Sequence, residues 1–362
     1  GRMTPTRARR LAPAFMAQYD AATLVATRDP VPAGLPAATE VGFDREVHSN
    51  CADTLWDNLH RNPDKLAVTG PAGDLDYATL IANAAQWGHA FIAAGLSRGD
   101  RIPFFLDDTP AYPAAFFGAV RAGFVPVLLN TQTNADTLAY FLADTEARLV
   151  LCEATLLSEF SSEVLAGSDV EKVVVVNGDA LNDGQIAQRD FLDGQPTSLA
   201  PADTTAADMA FWMYSSGTTG RPKGIVHLHH DMAYTHQSYG RQILGITADD
   251  ICFSVPKIFF AYGFGNSFTF PFSVGATTVL LHGRPDPARI FDCIERYRPT
   301  LFFGLPTLYT ALCRADDASS RNLSSIRRSI SAAETLSGEI YDAWKDLCGH
   351  GPTEGLGSTE LL

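Results

Sequence analysis

No run of about 18 apolar residues occurs in the 362-residue sequence, which excludes a hydrophobic membrane-spanning helix and integral membrane contact. A C-x-x-C pair is also missing. Cys51, Cys152, Cys252, Cys293, Cys313 and Cys348 are widely spaced, so they read as small buried hydrophobes of a reducing, cytoplasmic compartment rather than zinc ligands or disulfide partners. Positive charge is scarce: 27 Lys and Arg stand against 41 Asp and Glu, for a net charge of -14. That balance excludes broad nucleic-acid or anionic-membrane contact, while leaving room for a local basic site facing a phosphate. There is no internal repeat and no G-x-x-x-x-G-K-[ST] string.

What is present is a globular composition, 46% hydrophobic and 19% charged, in a chain long enough to bury a substantial core. Residues 1–45 are rich in Pro, Ala and Thr and lack a period. Arg2, Arg7, Arg9 and Arg10 precede a short apolar stretch broken by Pro13 and Gln18, so this segment reads as a loosely attached arm rather than a targeting peptide. From Thr54 onward apolar periodicity predicts helices over 77–94, 112–121, 136–144, 288–297 and 337–347. Short apolar strands are expected over 66–68, 101–106, 124–129, 147–152, 172–176, 209–214, 251–255, 277–281 and 300–303. The alternation has βαβ spacing, so the fold class is α/β, layered, with mostly parallel sheets. Residues 178–207, rich in Gly, Asp, Pro and Thr, read as an internal linker within a domain spanning 46–362.

The strand over 209–214 delivers the chain into Tyr214-Ser215-Ser216-Gly217-Thr218-Thr219-Gly220-Arg221-Pro222-Lys223-Gly224. A bound phosphate needs convergent N–H and O–H donors, little side-chain bulk and a cation. Ser215, Ser216, Thr218 and Thr219 offer hydroxyls, Gly217 and Gly220 allow close backbone approach, Pro222 stiffens the exit and Lys223 supplies the charge. A flexible surface turn has similar composition, but the preceding strand and the following lysine favour the phosphate reading.

This string resembles the phosphate loop of the adenylate-forming superfamily, in particular the benzoate-CoA ligases and their relatives. Other motifs agree in order: His229 after the loop, Ser331-Ala332-Ala333-Glu334 at the segment bordering the adenine, and Gly357-Ser358-Thr359-Glu360 at the G-x-T-E motif. The resemblance implies the N-terminal large domain of that fold, with ATP, Mg²⁺ and coenzyme A as reactants. It places Lys223, Thr359 and Glu360 in the catalytic set, with Glu360 at the metal, where a hard cation accepts a carboxylate oxygen. Ser215 to Gly220, Ala332 to Glu334, Gly357 and Ser358 would then surround the nucleotide. A second string, Gly351-Pro352-Thr353-Glu354, spells the same motif six positions earlier; the later copy is the closer match.

Lys257-Ile258-Phe259-Phe260-Ala261-Tyr262-Gly263-Phe264-Gly265-Asn266 is similar to the acyl-site segment of benzoate-CoA ligases. Ala261, Tyr262 and Gly263, with Gly304, Gly357 and His229, are the expected contacts of a small aromatic carboxylate; Phe259 and Phe260 suit either the slot or the core. His227 and His230 flank His229 without forming a recognisable zinc motif. The expected chemistry is activation of benzoate or a substituted benzoate to the acyl-adenylate, then transfer to coenzyme A. A non-catalytic binding module and a ligase for a non-aromatic acid are the alternatives, and a homodimer is left open.

The sequence ends two residues after Glu360. Full-length relatives continue with a ribose-binding aspartate, a hinge and a lysine-bearing small C-terminal domain. The chain therefore reads as a truncated large domain that binds its substrates and forms thioester very weakly or not at all.

Overall fold

The computed structural model describes residues 48–215 and 220–362. The arm expected over 1–45 lies outside the described residues.

Fourteen strands among the described residues build two seven-stranded sheets. In chain order they are β1 (Leu66–Thr69), β2 (Leu75–Asp76), β3 (Arg101–Phe105), β4 (Val125–Leu128), β5 (Leu149–Glu153), β6 (Lys172–Val176), β7 (Gln185–Ala187), β8 (Met209–Ser215), β9 (Lys223–Leu228), β10 (Ile251–Ser254), β11 (Thr277–Val279), β12 (Leu301–Gly304), β13 (Arg328–Ala332) and β14 (Thr353–Gly355). One sheet runs β7-β6-β5-β3-β4-β8-β9 and the other β14-β13-β12-β10-β11-β1-β2. Each is parallel except at one edge, where β9 and β2 run antiparallel to their neighbours. The expected mostly parallel α/β fold is the observed one.

Strand alternation sorts the core into layers. Phe104, Leu151 and Val174 face the cluster between the sheets, while their neighbours Phe105, Val150, Cys152 and Val173 face the opposite side. This two-sided burial is why the Val173–Val176 run lacks polar alternation. The shared central cluster also takes Val68 and Leu280 from the second sheet's side, and is filled by Phe116, Phe117, Phe268 and Phe272. On the far face of the second sheet, Phe302 stacks on Trp344 at 5.6 Å, and the indole donates to Ser329 Oγ at 3.0 Å.

Helix starts follow their side-chain caps. Asp76 accepts from Thr79 N, Asn134 from Thr137 N, Asp286 from Arg289 N and Ser337 from Ile340 N. The segment 178–207 is not a free linker. It contributes β7 and the helix Gln188–Leu192, whose Phe191 packs 5.8 Å from both Trp87 and Phe91. Its polar residues are loop residues around a short sheet edge, and composition alone obscured that edge. The six cysteines are free thiols; Cys51, Cys152, Cys252 and Cys293 are buried, whereas Cys313 and Cys348 are only partly so. No helix among the described residues is long and apolar enough to cross a membrane.

The central layer depends on a close helix crossing. Helices Tyr77–Ala93 and Ala111–Arg121 meet at Gly88 and Gly118. A Cβ on Gly118 would overlap the Ala84 carbonyl oxygen and lie 2.9 Å from Trp87 Cβ, so only glycine permits this approach. Gly118→Ala is therefore expected to destabilise the fold by roughly 1–3 kcal/mol. Gly338→Ala, at a position with open space around it, serves as the control. Urea midpoints that match in the two variants would contradict the close crossing.

Candidate active site

The glycine-rich segment is the connection of a hairpin. β8 and β9 pair antiparallel with Ser215 opposite Lys223, Tyr214 opposite Gly224 and Phe211 opposite His227. The connection therefore starts and ends at one sheet edge, with the exposed Lys223 at its mouth. Ser216, Gly217, Thr218 and Thr219 lie outside the described residues. Gly220 has φ +102, a conformation that L side chains rarely adopt.

The loop end of this hairpin is pinned to the helix Ala135–Thr145. Tyr214 donates to Asp144 Oδ2 at 2.7 Å and its ring lies 4.1 Å from Phe141. Tyr140 donates to the Pro222 carbonyl at 3.2 Å, and the Arg221 guanidinium sits over the Tyr140 ring. None of these pins was anticipated from the sequence.

Further along β9, the buried His227 reaches across to the G-x-T-E turn, its Nε2 lying 2.9 Å from the Thr359 carbonyl oxygen. Its Nδ1 lies 3.1 Å from Asp231 Oδ2, and its ring stacks on Phe211 at 4.9 Å. Burial opposes the charge of Asp231, but hydrogen bonds from His227, Leu228 N and His230 outweigh it and hold the carboxyl below its ordinary range. Strand period puts Lys223 and His227 on one face of β9, about 14 Å apart along the strand. The strand that begins at Lys223 is thus connected to Thr359 through His227. The available signal was the inward alternation of residues 225, 227 and 229.

The two G-x-T-E copies occupy different structure. Thr353 and Glu354 lie within β14, and Glu354 Oε1 accepts from Leu336 N at 2.8 Å. Gly357, Ser358, Thr359 and Glu360 follow the carboxyl end of β14 in a turn where Leu361 N donates to the Ser358 carbonyl, and Glu360 is exposed. Ligands of open parallel sheets bind outside the carboxyl ends of strands, where the later copy stands.

Beside that turn, Ala332 ends β13, pairing with Gly355. Ala333 then takes φ +75, a left-handed conformation costly for a residue with a side chain, and Glu334 follows it exposed. Gly304 ends β12 opposite Ser331; a Cβ there would come within 3.0 Å of the Tyr309 ring. Tyr262 and Tyr309 both donate to the Ile330 carbonyl, at 3.2 and 2.8 Å. Ala261, Tyr262 and Gly263 begin the helix Ala261–Phe264, so this segment, Gly304 and Ala332 gather at the carboxyl ends of β12 and β13. Phe259 is core, whereas Phe260 is 47% exposed.

His229 is buried beyond the far end of β9. Its ring is 2% exposed, its Nδ1 accepts from Cys51 N at 3.1 Å and its own amide donates to the Asp208 carbonyl. These contacts are at the base of the hairpin, not with Ala261, Tyr262 or Gly263. A surface recess of about 410 Å³ lined by Asn177, Asp179, Gln188 and Arg189 likewise contains none of the site residues.

Residues 55–362 match the family model for AMP-binding enzymes. The chain is 37% identical over 298 residues to a 4-hydroxybenzoate-CoA/benzoate-CoA ligase of Rhodopseudomonas palustris, covering 82% of this chain and 55% of that protein. Among solved structures it resembles the anthranilate CoA ligase AuaEII in complex with anthranoyl-AMP, with TM-score 0.84, 33% identity, and coverage of 86% of this chain and 60% of that one. It also resembles a benzoate CoA ligase from Burkholderia xenovorans LB400, with TM-score 0.79, 33% identity, and coverage of 86% and 61%. The chain spans about half the length of the curated relatives it matches.

His229 makes a pH prediction. Burial lowers its pKa from 6.5 to about 4, and a proton on Nδ1 would also break the bond from Cys51 N. The unfolded chain takes up this proton first, so the stabilisation is complete above pH ~6.5 and is lost as pH falls towards 4. Its full size is about 3 kcal/mol. His229→Gln, which keeps an acceptor for Cys51, is expected to flatten the decline of urea stability between pH 7 and 4.5. Parallel pH profiles for variant and parent would disprove this.

Proposed function

The chain belongs to the AMP-binding enzyme family, and from there we propose that it activates benzoate or a simply substituted benzoate with ATP, the first half of a reaction completed on coenzyme A. The observation that carries this reading is the His227 bridge, which ties β9, the strand that begins at Lys223, to the backbone of the turn bearing Thr359 and Glu360. The relatives named for benzoate, 4-hydroxybenzoate and anthranilate support an aromatic acid.

In this reading a carboxylate oxygen of the acid attacks the α-phosphorus of ATP, and the bond to pyrophosphate breaks. The thiol of coenzyme A then attacks the acyl carbonyl and AMP departs. The protein's task is alignment and neutralisation of charge accumulating on phosphate oxygens. Lys223 and the loop donors Ser215, Ser216, Gly217, Thr218, Thr219 and Gly220 would face the phosphates, joined by Thr359. Ala332, Ala333 and Glu334 would border the adenine, with Gly357 and Ser358 closing the same edge. Ala261, Tyr262, Gly263 and Gly304 would wall the acid. His229 would stand behind this wall, its Nδ1 accepting from Cys51 N.

Among the described residues no three His, Cys, Asp or Glu cluster as a metal cage. A lone exposed carboxylate fits a magnesium ion that arrives with the triphosphate, since Mg²⁺ favours one or two carboxylates plus phosphate oxygens and water. Glu360 would hold it, and the ion would supply charge neutralisation at those phosphate oxygens.

Two outcomes are expected. Calorimetric titration of Glu360→Ala should lose about tenfold or more of the Mg²⁺-dependent gain in ATP affinity, whereas Glu354→Ala, which removes the acceptor for Leu336 N, should keep that gain and melt earlier. The reverse pattern would move the metal role to the earlier motif. Across benzoate, 2-aminobenzoate, 4-hydroxybenzoate, cinnamate and hexanoate, a benzoate should bind at least about tenfold more tightly than hexanoate, about 1.4 kcal/mol. A preference for hexanoate would overturn the aromatic assignment.

A further inference from the structure

One charged cluster outside the nucleotide edge ties the two sheets together. Asp107, Asp108 and Thr109 follow β3 in one sheet, Lys257 follows β10, and Leu281 and Gly283 follow β11 in the other. Lys257 Nζ lies 2.8 Å from Asp107 Oδ1 and 3.8 Å from Asp108 Oδ2, and donates to the Leu281 carbonyl at 2.7 Å. The Lys257 side chain is only 11% exposed and that of Asp108 only 4%. Asp107 also accepts from Gly283 N and Asp108 N, while Asp108 Oδ1 accepts from Ile258 N at 3.3 Å. Behind them, Glu153 accepts from Asp107 N and from Asn177 Nδ2, so the ends of β5 and β6 brace the same cluster.

Burying a lysine and two aspartates is costly unless they are paired and hydrogen-bonded, and pairing of this kind is best attested as a device for specifying register. The segment being fixed is the one that follows. Phe260 N donates to the Lys257 carbonyl at 3.0 Å. A Cβ on Gly263 would overlap the carbonyl oxygens of Lys257 and Pro256, so the turn carrying Ala261 and Tyr262 rests directly on the Lys257 backbone. A shift of Lys257 is therefore passed to Tyr262 without slack.

We propose that Lys257, held by Asp107 and Asp108, is a positioning residue that sets the seat of the Ala261–Tyr262–Gly263 turn and thereby the fit of the aromatic acid. This rests on the assignment of that turn to the acid. The charges are spent on one another and on backbone groups, so they act through the backbone they immobilise. Loss of the clamp should loosen recognition of the acid while leaving the Lys223 and Glu360 edge unaltered.

The test is calorimetric titration with benzoate and, separately, with MgATP, on the chain and on Lys257→Met, Lys257→Arg and Asp107→Asn, with circular dichroism to establish folding. Lys257→Met and Asp107→Asn are each expected to weaken benzoate binding about tenfold or more and to change MgATP binding less than twofold. Lys257→Arg should recover part of the loss, because it restores the charge facing Asp107. Benzoate affinity unchanged in folded Lys257→Met, or equal losses for both ligands, would overturn the proposal. If Lys257→Met does not fold, Asp107→Asn decides by the same two criteria, since it keeps the side-chain shape. Benzoate failing to bind the unaltered chain would instead reject the acid assignment on which the clamp rests, and the two failures are told apart by that first titration.

Discussion

The antiparallel pairing of β8 with β9 is the constraint on which the rest of the site depends. In a sheet otherwise built from parallel strands, the chain reverses within a few residues and returns along the same edge. A crossover helix, as between parallel strands, would have carried the lysine away from the hydroxyls that precede it. The hairpin instead keeps Ser215 opposite Lys223, and the period of two then aims His227 inward, where it meets Thr359. One register choice thus fixes both the place of Lys223 and the link from β9 to the turn bearing Glu360.

A second constraint comes from the way parallel sheets end. Carboxyl ends of β12, β13 and β14 present Gly304, Ala332 and the Thr359 turn side by side, while β3, β10 and β11 end at the Lys257 cluster. The aromatic packing between the sheets, centred on Phe116, Phe117 and Phe268, keeps these edges in a common body. Close contacts between small residues do what larger side chains could not: Gly118 lets two helices approach, and Gly263 lets a turn sit on a carbonyl.

Much of this was legible in the sequence because the signals were local. The Val173–Val176 run and the alanine-rich helix beginning at Tyr77 each declare themselves within a short window. The short strand β7 did not, since three residues among Gly, Asp and Pro carry too little pattern to separate an edge strand from a linker. Long-range polar contacts were harder still. His227 and Thr359 are 132 positions apart, and Asp107 and Lys257 are 150 apart, so no window contains both partners. The same holds for His229, whose Nδ1 accepts from the amide of Cys51, 178 positions away.

The left-handed backbone at Ala333 has a consequence for how such a site can diversify. It follows directly on the buried Ala332 and stands exposed at the strand end proposed to border the adenine. Glycine occupies that conformation freely and asparagine tolerates it, while β-branched side chains are excluded by their own Cβ substituents. Variation at this position is therefore filtered by backbone geometry before any contact with a ligand is tried.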